Sequence, residues 1–247
     1  MGYKRDNGDD PKIINGRIRM AKLQTGINYY SEFMCEAIRS FLYAEDLIDA
    51  AYELLDDDLE KVDLYSSAGI HSRYAFLISA NALESAANAL LLGIDTNRSI
   101  YKDLEKLGTL LKYEVFCMSS NKKLDRGNQL YSNVKEIVKC RNEFVHPKPK
   151  KVDYGVDDND QIDFIVPRTK NCNYPTYITM IEAKHVKQAI SDILNFISWV
   201  VFDICELELE EGAMLIGNGQ LSVTGDIQTL KHEYCFDVRS FGIDKEQ

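Results

Sequence analysis

The chain has 247 residues, 45% of them hydrophobic and 28% charged, which is the balance of a packed globular protein rather than of a disordered one. Its net charge of −10 argues against a protein that coats nucleic acid nonspecifically, because phosphate neutralisation dominates such binding. No run of 18 or more apolar residues occurs and MGYKRDNGDD at the N-terminus is polar, so neither a membrane span nor a signal peptide is expected, and the chain is read as soluble and cytoplasmic.

Residues 1–30 are polar and broken by Gly16 and Gly26, and read as an irregular N-terminal arm. A helix then begins near Ser31, a candidate cap, with Met34, Ile38, Phe41, Ile48, Ala51 and Leu55 on one face. It should end at the DDD of 56–58, since aspartates oppose the dipole at a helix C-terminus. A second helix, about 72–93, turns Leu77, Ala80, Leu83, Ala87, Leu90 and Leu91 inward and stops before Gly93. Beside that face Asn81, Glu84 and Asn88 form a polar stripe at spacings of three and four. Either the stripe meets solvent, or Glu84 or Asn81 reaches Arg141 and orients it. A less regular helix over 99–118 and a loop over 119–128 come next.

From about Gly127 the apolar positions Leu130, Val134, Ile137, Val138, Phe144 and Val145 describe an amphipathic helix with Arg141 on its seam. A guanidinium cannot shed its proton, so on a core-facing stripe it needs an anion. Pro147 lacks an amide hydrogen and biases His146 away from helical angles, so the helix should end at or just before His146. Two arrangements stay open. Arg141 and His146 line a cleft, or Arg141 pairs with a carboxylate or reaches solvent while His146 caps the helix end. Between Lys139 and Lys151 there are five bases (Lys139, Arg141, Lys148, Lys150, Lys151) and one acid, Glu143, leaving −14 for the rest of the chain. This strip is either a solvated loop or a focused phosphate-binding surface.

After Pro147 the composition changes, and an insertion over about 148–181 is expected. IDFIVP (162–167) and TYITMI (176–181) read as two short strands of a β-hairpin. A long apolar helix over about 182–210 carries Val186, Ile190, Ile193, Ile197, Val200, Ile204 and Leu207. Its apolar surface is either central to the core or partly shared with another subunit. MLIGNGQLSV (214–223) places Asn-Gly between apolar runs and reads as a hairpin, so 211–247 is expected to be a small β-rich appendage to a helical domain over 31–210. The fold class is therefore mainly α, a helical bundle with a β-hairpin insertion and a C-terminal β appendage. Cysteines 35, 117, 140, 172, 205 and 235 stand at least 23 residues apart, and histidines 71, 185 and 232 are scattered, so no local metal motif is present and reduced, mostly buried thiols are expected.

The RNEFVH of 141–146, an arginine followed by asparagine and, five positions after the arginine, a histidine late on a helix, resembles the HEPN superfamily, whose signature is Rx4-6H. ISANALESAANALL (78–91) is similar to the small-residue-rich early helix of that family, and the resemblance extends over about 31–206. It implies a HEPN-like bundle, a metal-independent endoribonuclease without cofactor that cleaves single-stranded RNA through the neighbouring 2′-hydroxyl, and a homodimer that joins two motifs in one cleft. Arg141, His146 and Asn142 are then the catalytic candidates, Glu84 their support, and Lys139, Lys148, Lys150 and Lys151 the RNA-binding candidates. A place in a toxin–antitoxin or defence system, with a separate antitoxin or nucleotidyltransferase partner, belongs to the same implication. Two other readings use the same residues: a noncatalytic module for nucleotide, RNA or dimerisation, and a structural helical protein in which Arg141 is enclosed by a carboxylate.

Overall fold

Two long antiparallel helices frame the computed structural model, which describes residues 29–56, 58–94, 96, 98–147, 153–156, 162–217, 236–241 and 243. The first, α1 (Tyr30–Tyr52), buries Met34, Ile38 and Phe41 at steps of three and four, as their spacing predicts. It starts one residue before Ser31, which therefore lies inside the first turn and does not cap it. Leu55 falls beyond its end and is exposed. The second, α2 (Leu59–Leu92), begins well before the expected position 72. The reason is local: the Asp58 carboxylate accepts the Glu60 amide at 2.9 Å, and an aspartate cap satisfies a donor that the first turn leaves orphaned. In the core half of α2, Ala75, Ala82, Ala86 and Ala87 are fully buried beside Phe76, Leu83 and Leu90, and these small side chains let other helices approach closely.

The region expected to be one irregular helix over 99–118 is two helices, α3 (Arg98–Leu104) and α4 (Thr109–Ser119). Gly108 separates them with an extended backbone at the start of α4. Helix α5 (Gln129–Val145) is capped by Asn128, whose side chain accepts the Leu130 amide at 2.8 Å. It buries Tyr131, Val134, Ile137 and Cys140 and ends where the proline argument places its end, with His146 as the first non-helical residue.

The expected pairing of 162–167 with 176–181 is overturned. Strand β2 (Ile162–Ile165) pairs antiparallel with β1 (Asp153–Val156), in the register Asp153 to Ile165 and Val156 to Ile162. Residues 178–180 form a 3-10 turn in which the Met180 amide is spent on the Tyr177 carbonyl at 3.0 Å. Pro167 and Pro175, which have no amide hydrogen, flank a tight turn closed by the Thr169 amide on the Tyr174 carbonyl at 2.8 Å. Both Glu136 carboxylate oxygens hold that turn from α5, accepting the Asn171 and Cys172 amides at 2.8 Å each. The buried Tyr174 ring then plugs the space between Phe76 and His185.

Helix α6 (Ala183–Ser198) opens with a reciprocal cap in which the Glu182 amide donates to His185 Nδ1 at 3.1 Å. Val186, Ile190, Ile193 and Ile197 are fully buried, so the expected apolar face lies in the core. The expected single helix to 210 is shorter, because after Ser198 the chain widens into a π-helical turn (Trp199–Ile204) and Glu206 adopts a positive φ of 55°. Beyond that break lies a separate helix, α7 (Leu209–Gly217), crossing so closely that a Cβ on Gly212 would collide with Phe202 and come within 2.8 Å of Val201.

The expected β appendage is also corrected. Residues 214–217, assigned to a hairpin strand, belong to α7, and Arg239–Phe241 is a 3-10 turn; 218–235 lie outside the described residues. This C-terminal piece is not peripheral, since Ile216, Phe236, Val238 and Phe241 are buried against the bundle. The Tyr30 hydroxyl meets Ser240 Oγ at 2.6 Å and its ring stacks on Phe241, tying the end of the chain to the start of α1. Most of the expected N-terminal arm, 1–28, falls outside the described residues. Among the described cysteines Cys117, Cys140 and Cys205 are buried and Cys35 and Cys172 are half-buried.

Candidate functional site

Three helices converge on Arg141. Their side chains come together because α2 places Asn81, Glu84 and Asn88 one above another at helical spacing, on the flank that faces the last turns of α5 and the first turns of α4. Asn81 Oδ1 accepts from Arg141 Nη2 at 3.1 Å and from Nε at 3.4 Å, and the Glu84 carboxylate pairs with Nη2 at 3.3 Å. Nη1 donates to Asn142 Oδ1 at 3.1 Å. The guanidinium is thus oriented by three neighbours while its side chain remains 27% exposed.

Lys112, on α4, is the residue that sequence reasoning missed. Its side chain is 3% exposed, its ammonium donates to Asn88 Oδ1 at 2.7 Å, and it lies 3.9 Å from Glu84. Glu84 therefore stands between two cations, one buried and one half-buried. Among the described residues this cluster holds one carboxylate against two positive charges, which leaves a local excess of positive charge. A lone lysine in an apolar helical pattern carries no signal of this kind in sequence. The asparagine one turn beyond Glu84 on α2 was the available clue, because a half-buried amide oxygen is usually met by a donor.

His146 is exposed at the C-cap of α5, with φ −122° and ψ 65°, and its amide closes the last turn on the Asn142 carbonyl at 3.0 Å. The motif thus presents one ordered cation and one solvent-facing imidazole at the same helix end. Lys139 is exposed nearly two turns before the end of α5, 4.0 Å from Glu143. Lys148, Lys150 and Lys151 lie outside the described residues. No group of three His, Cys, Asp or Glu side chains that could hold a metal ion occurs among the described residues.

Of the candidate residues, the structure brings Arg141, Asn142 and Glu84 into direct contact and adds Asn81, Asn88 and Lys112. It places His146 next to them in the chain without a hydrogen bond between its ring and the cluster among the described residues. Compared with known proteins, the chain matches no family model, no curated protein and no solved structure. One described helix, α2, is long and apolar enough to cross a membrane by length and composition, and 61% of that window is buried inside the bundle, the position of a core helix.

Proposed function

We propose that the chain is a metal-independent endoribonuclease of HEPN type, working in the cytoplasm on single-stranded RNA as a homodimer. The observation that carries this reading is the pre-oriented Arg141 fork, backed by buried Lys112 and succeeded at the end of the same helix by the exposed His146. In the reaction, the RNA 2′-oxygen attacks the adjacent phosphorus, the bond to the 5′-oxygen breaks, and a cyclic phosphate and a 5′-hydroxyl are left. Arg141 holds two phosphate oxygens and neutralises the charge that grows on them. An imidazole, whose ordinary pKa is about 6.5, removes the 2′-hydroxyl proton and returns a proton to the leaving oxygen; with two copies facing one cleft, one His146 serves each step. Asn142 positions the phosphate beside Arg141. The lysines from 139 to 151 guide the flanking backbone, and a separate antitoxin or nucleotidyltransferase restrains the activity.

A second reading is favoured by a specific contact. Glu84 already occupies the Arg141 fork at 3.3 Å, so the same pocket serves a noncatalytic nucleotide- or RNA-binding module in which a phosphate takes the carboxylate's place. Incubation of wild type, Arg141→Ala and His146→Ala with end-labelled single-stranded RNA in excess EDTA separates the two. Cleavage by wild type alone, with cyclic phosphate ends, is the expected result. Binding of RNA by folded wild type with no cleavage of any substrate assigns the module instead.

A further inference from the structure

The far ends of α1 and α2 carry a feature the Arg141 site does not use. From Tyr43 to Ser67 the only buried residues among those described are Ala44 and Ala51, so this part of the helical pair contributes little to the apolar core beyond Ile48, and on α2 burial resumes at Ala68. Large apolar side chains are nonetheless displayed on α2 here and in the two turns that follow: Leu59 is 81% exposed and Val62 61%, then Ile70 54%, with Tyr74 beyond them. At 3.6 residues per turn, Leu59, Val62, Ile70 and Tyr74 fall within an arc of about 120° of α2. The same face continues along the helix to Asn81, Glu84 and Asn88, and so runs into the Arg141 cluster.

Its charge is predominantly acidic. Between Glu45 and Tyr74 there are nine acids and two bases, in a chain whose net charge is −10. Of those bases, Lys61 is spent on Asp56 at 2.6 Å, and Arg73 lies on the face of α2 between Ile70 and Tyr74. Asp46, Asp49, Glu53, Glu60 and Asp63 are exposed. A second copy of the same face would bring like charges together, which opposes self-association through it. An exposed face that interleaves large apolar side chains with an excess of acids is complementary to a helix that has apolar residues on one side and lysines or arginines around them.

We propose that the α1–α2 arm is a docking surface for a basic amphipathic helix of a partner polypeptide, seated along Leu59, Val62, Asp63, Ile70 and Tyr74, with Glu60 at the edge of the face. Because that face leads to Asn81 and Glu84, a partner lying along it approaches the Arg141 cluster from the side. The surface does not depend on whether that cluster turns RNA over.

The test uses the full chain and a labelled Leu/Lys peptide of about 18 residues, long enough to span the exposed stretch of α2 as a helix. Its controls are a scrambled peptide of equal composition and a Leu/Glu counterpart, all read by fluorescence anisotropy. The amphipathic Leu/Lys peptide should bind, the controls should bind at least about tenfold more weakly, and salt raised to about 0.5 M should weaken the complex. Both Leu59→Ser/Val62→Ser/Ile70→Ser and Glu60→Lys/Asp63→Lys should lose about tenfold in affinity with circular dichroism unchanged, the lysine variant melting slightly lower because Glu60 sits in the first turn of α2. Equal binding of scrambled and amphipathic peptides, or full binding by either variant, overturns the proposal. So does a wild-type dimer in sedimentation that the serine variant abolishes, which assigns the stripe to a second copy.

Discussion

At the scale of single residues, Glu84 decides how the candidate site is held. Its carboxylate lies 3.3 Å from Arg141 and 3.9 Å from Lys112, whose side chain is 3% exposed. A buried ammonium without a compensating charge is costly, whereas removing both partners of a buried pair is often close to neutral. Glu84→Gln should therefore destabilise the fold by about 1–2 kcal/mol, the half-exposed position of Glu84 reducing the cost of a fully buried pair. Adding Lys112→Met should recover part of that loss. Calorimetric melting of the two single variants and the double variant checks this, and additivity of the two losses would show that Lys112 does not depend on Glu84. The arginine and histidine of this site were legible in sequence because their chemistry and the proline after them constrain the local chain. Lys112 was not, because a lysine on a helix is ordinarily solvated and only the packing of α4 against α2 removes it from water.

At the scale of elements, α6 is held at its start by a titratable group. His185 is 6% exposed, and burial holds its pKa below the ordinary 6.5, aided against the opposing influence of Glu182 by Lys184 and Arg168. Its Nδ1 must be unprotonated to accept the Glu182 amide. As pH falls below 6.5 the unfolded chain gains a proton that the native chain resists, so stability is full above that pH and is lost toward lower pH. Asp192, on the same helix, works in the opposite sense. Burial raises its carboxyl above the usual 3.8, so the native state keeps a proton longer there and its contribution falls as pH rises through that window. The difference between wild type and His185→Gln isolates the histidine: melting temperature should fall more steeply from pH 7 to about pH 5 in wild type than in the variant. Identical pH profiles would show that the ring titrates as in the unfolded chain.

The elements differ in how readable they were. The apolar faces of α1, α2, α5 and α6 follow from periodicity, since one face of each is removed from water whatever its neighbours are. Boundaries failed where a single contact decides them: the Asp58 cap lengthens α2, Gly108 divides α3 from α4, and the positive φ at Glu206 ends the π turn. The strand expected at 176–181 failed for another reason. Its β-branched residues fit a sheet equally well, but Glu136 fixes the preceding turn and the backbone donors are used locally before any strand can pair with them.

At the scale of the whole molecule, the C-terminal piece belongs to the core. Phe236, Val238 and Phe241 are buried, and Arg239 pairs with Asp203 at 2.7 Å and Asp237 at 2.9 Å. Burial of each such apolar side chain contributes about 1.5–3 kcal/mol, less the cost of ordering the segment. A chain ending at residue 235 should thus melt at least about 10 °C lower than the full chain. Unchanged melting would make this piece an appendage in energetic as well as in sequence terms.

The sequence by itself determined the helical class, the inward faces of the long helices, the end of α5 at His146 and the presence of an arginine that requires an anion, because each follows from side-chain chemistry acting over a few turns. Tertiary structure alone decided that Asn81, Glu84 and Lys112 surround that arginine and that the chain's end returns to Tyr30. It also decided that the acidic, apolar tips of α1 and α2 contribute little to the core. Those outcomes depend on which helices meet and where, and residues some 60 positions apart, such as Asn81 and Arg141, become neighbours only through the free energy of packing the whole core.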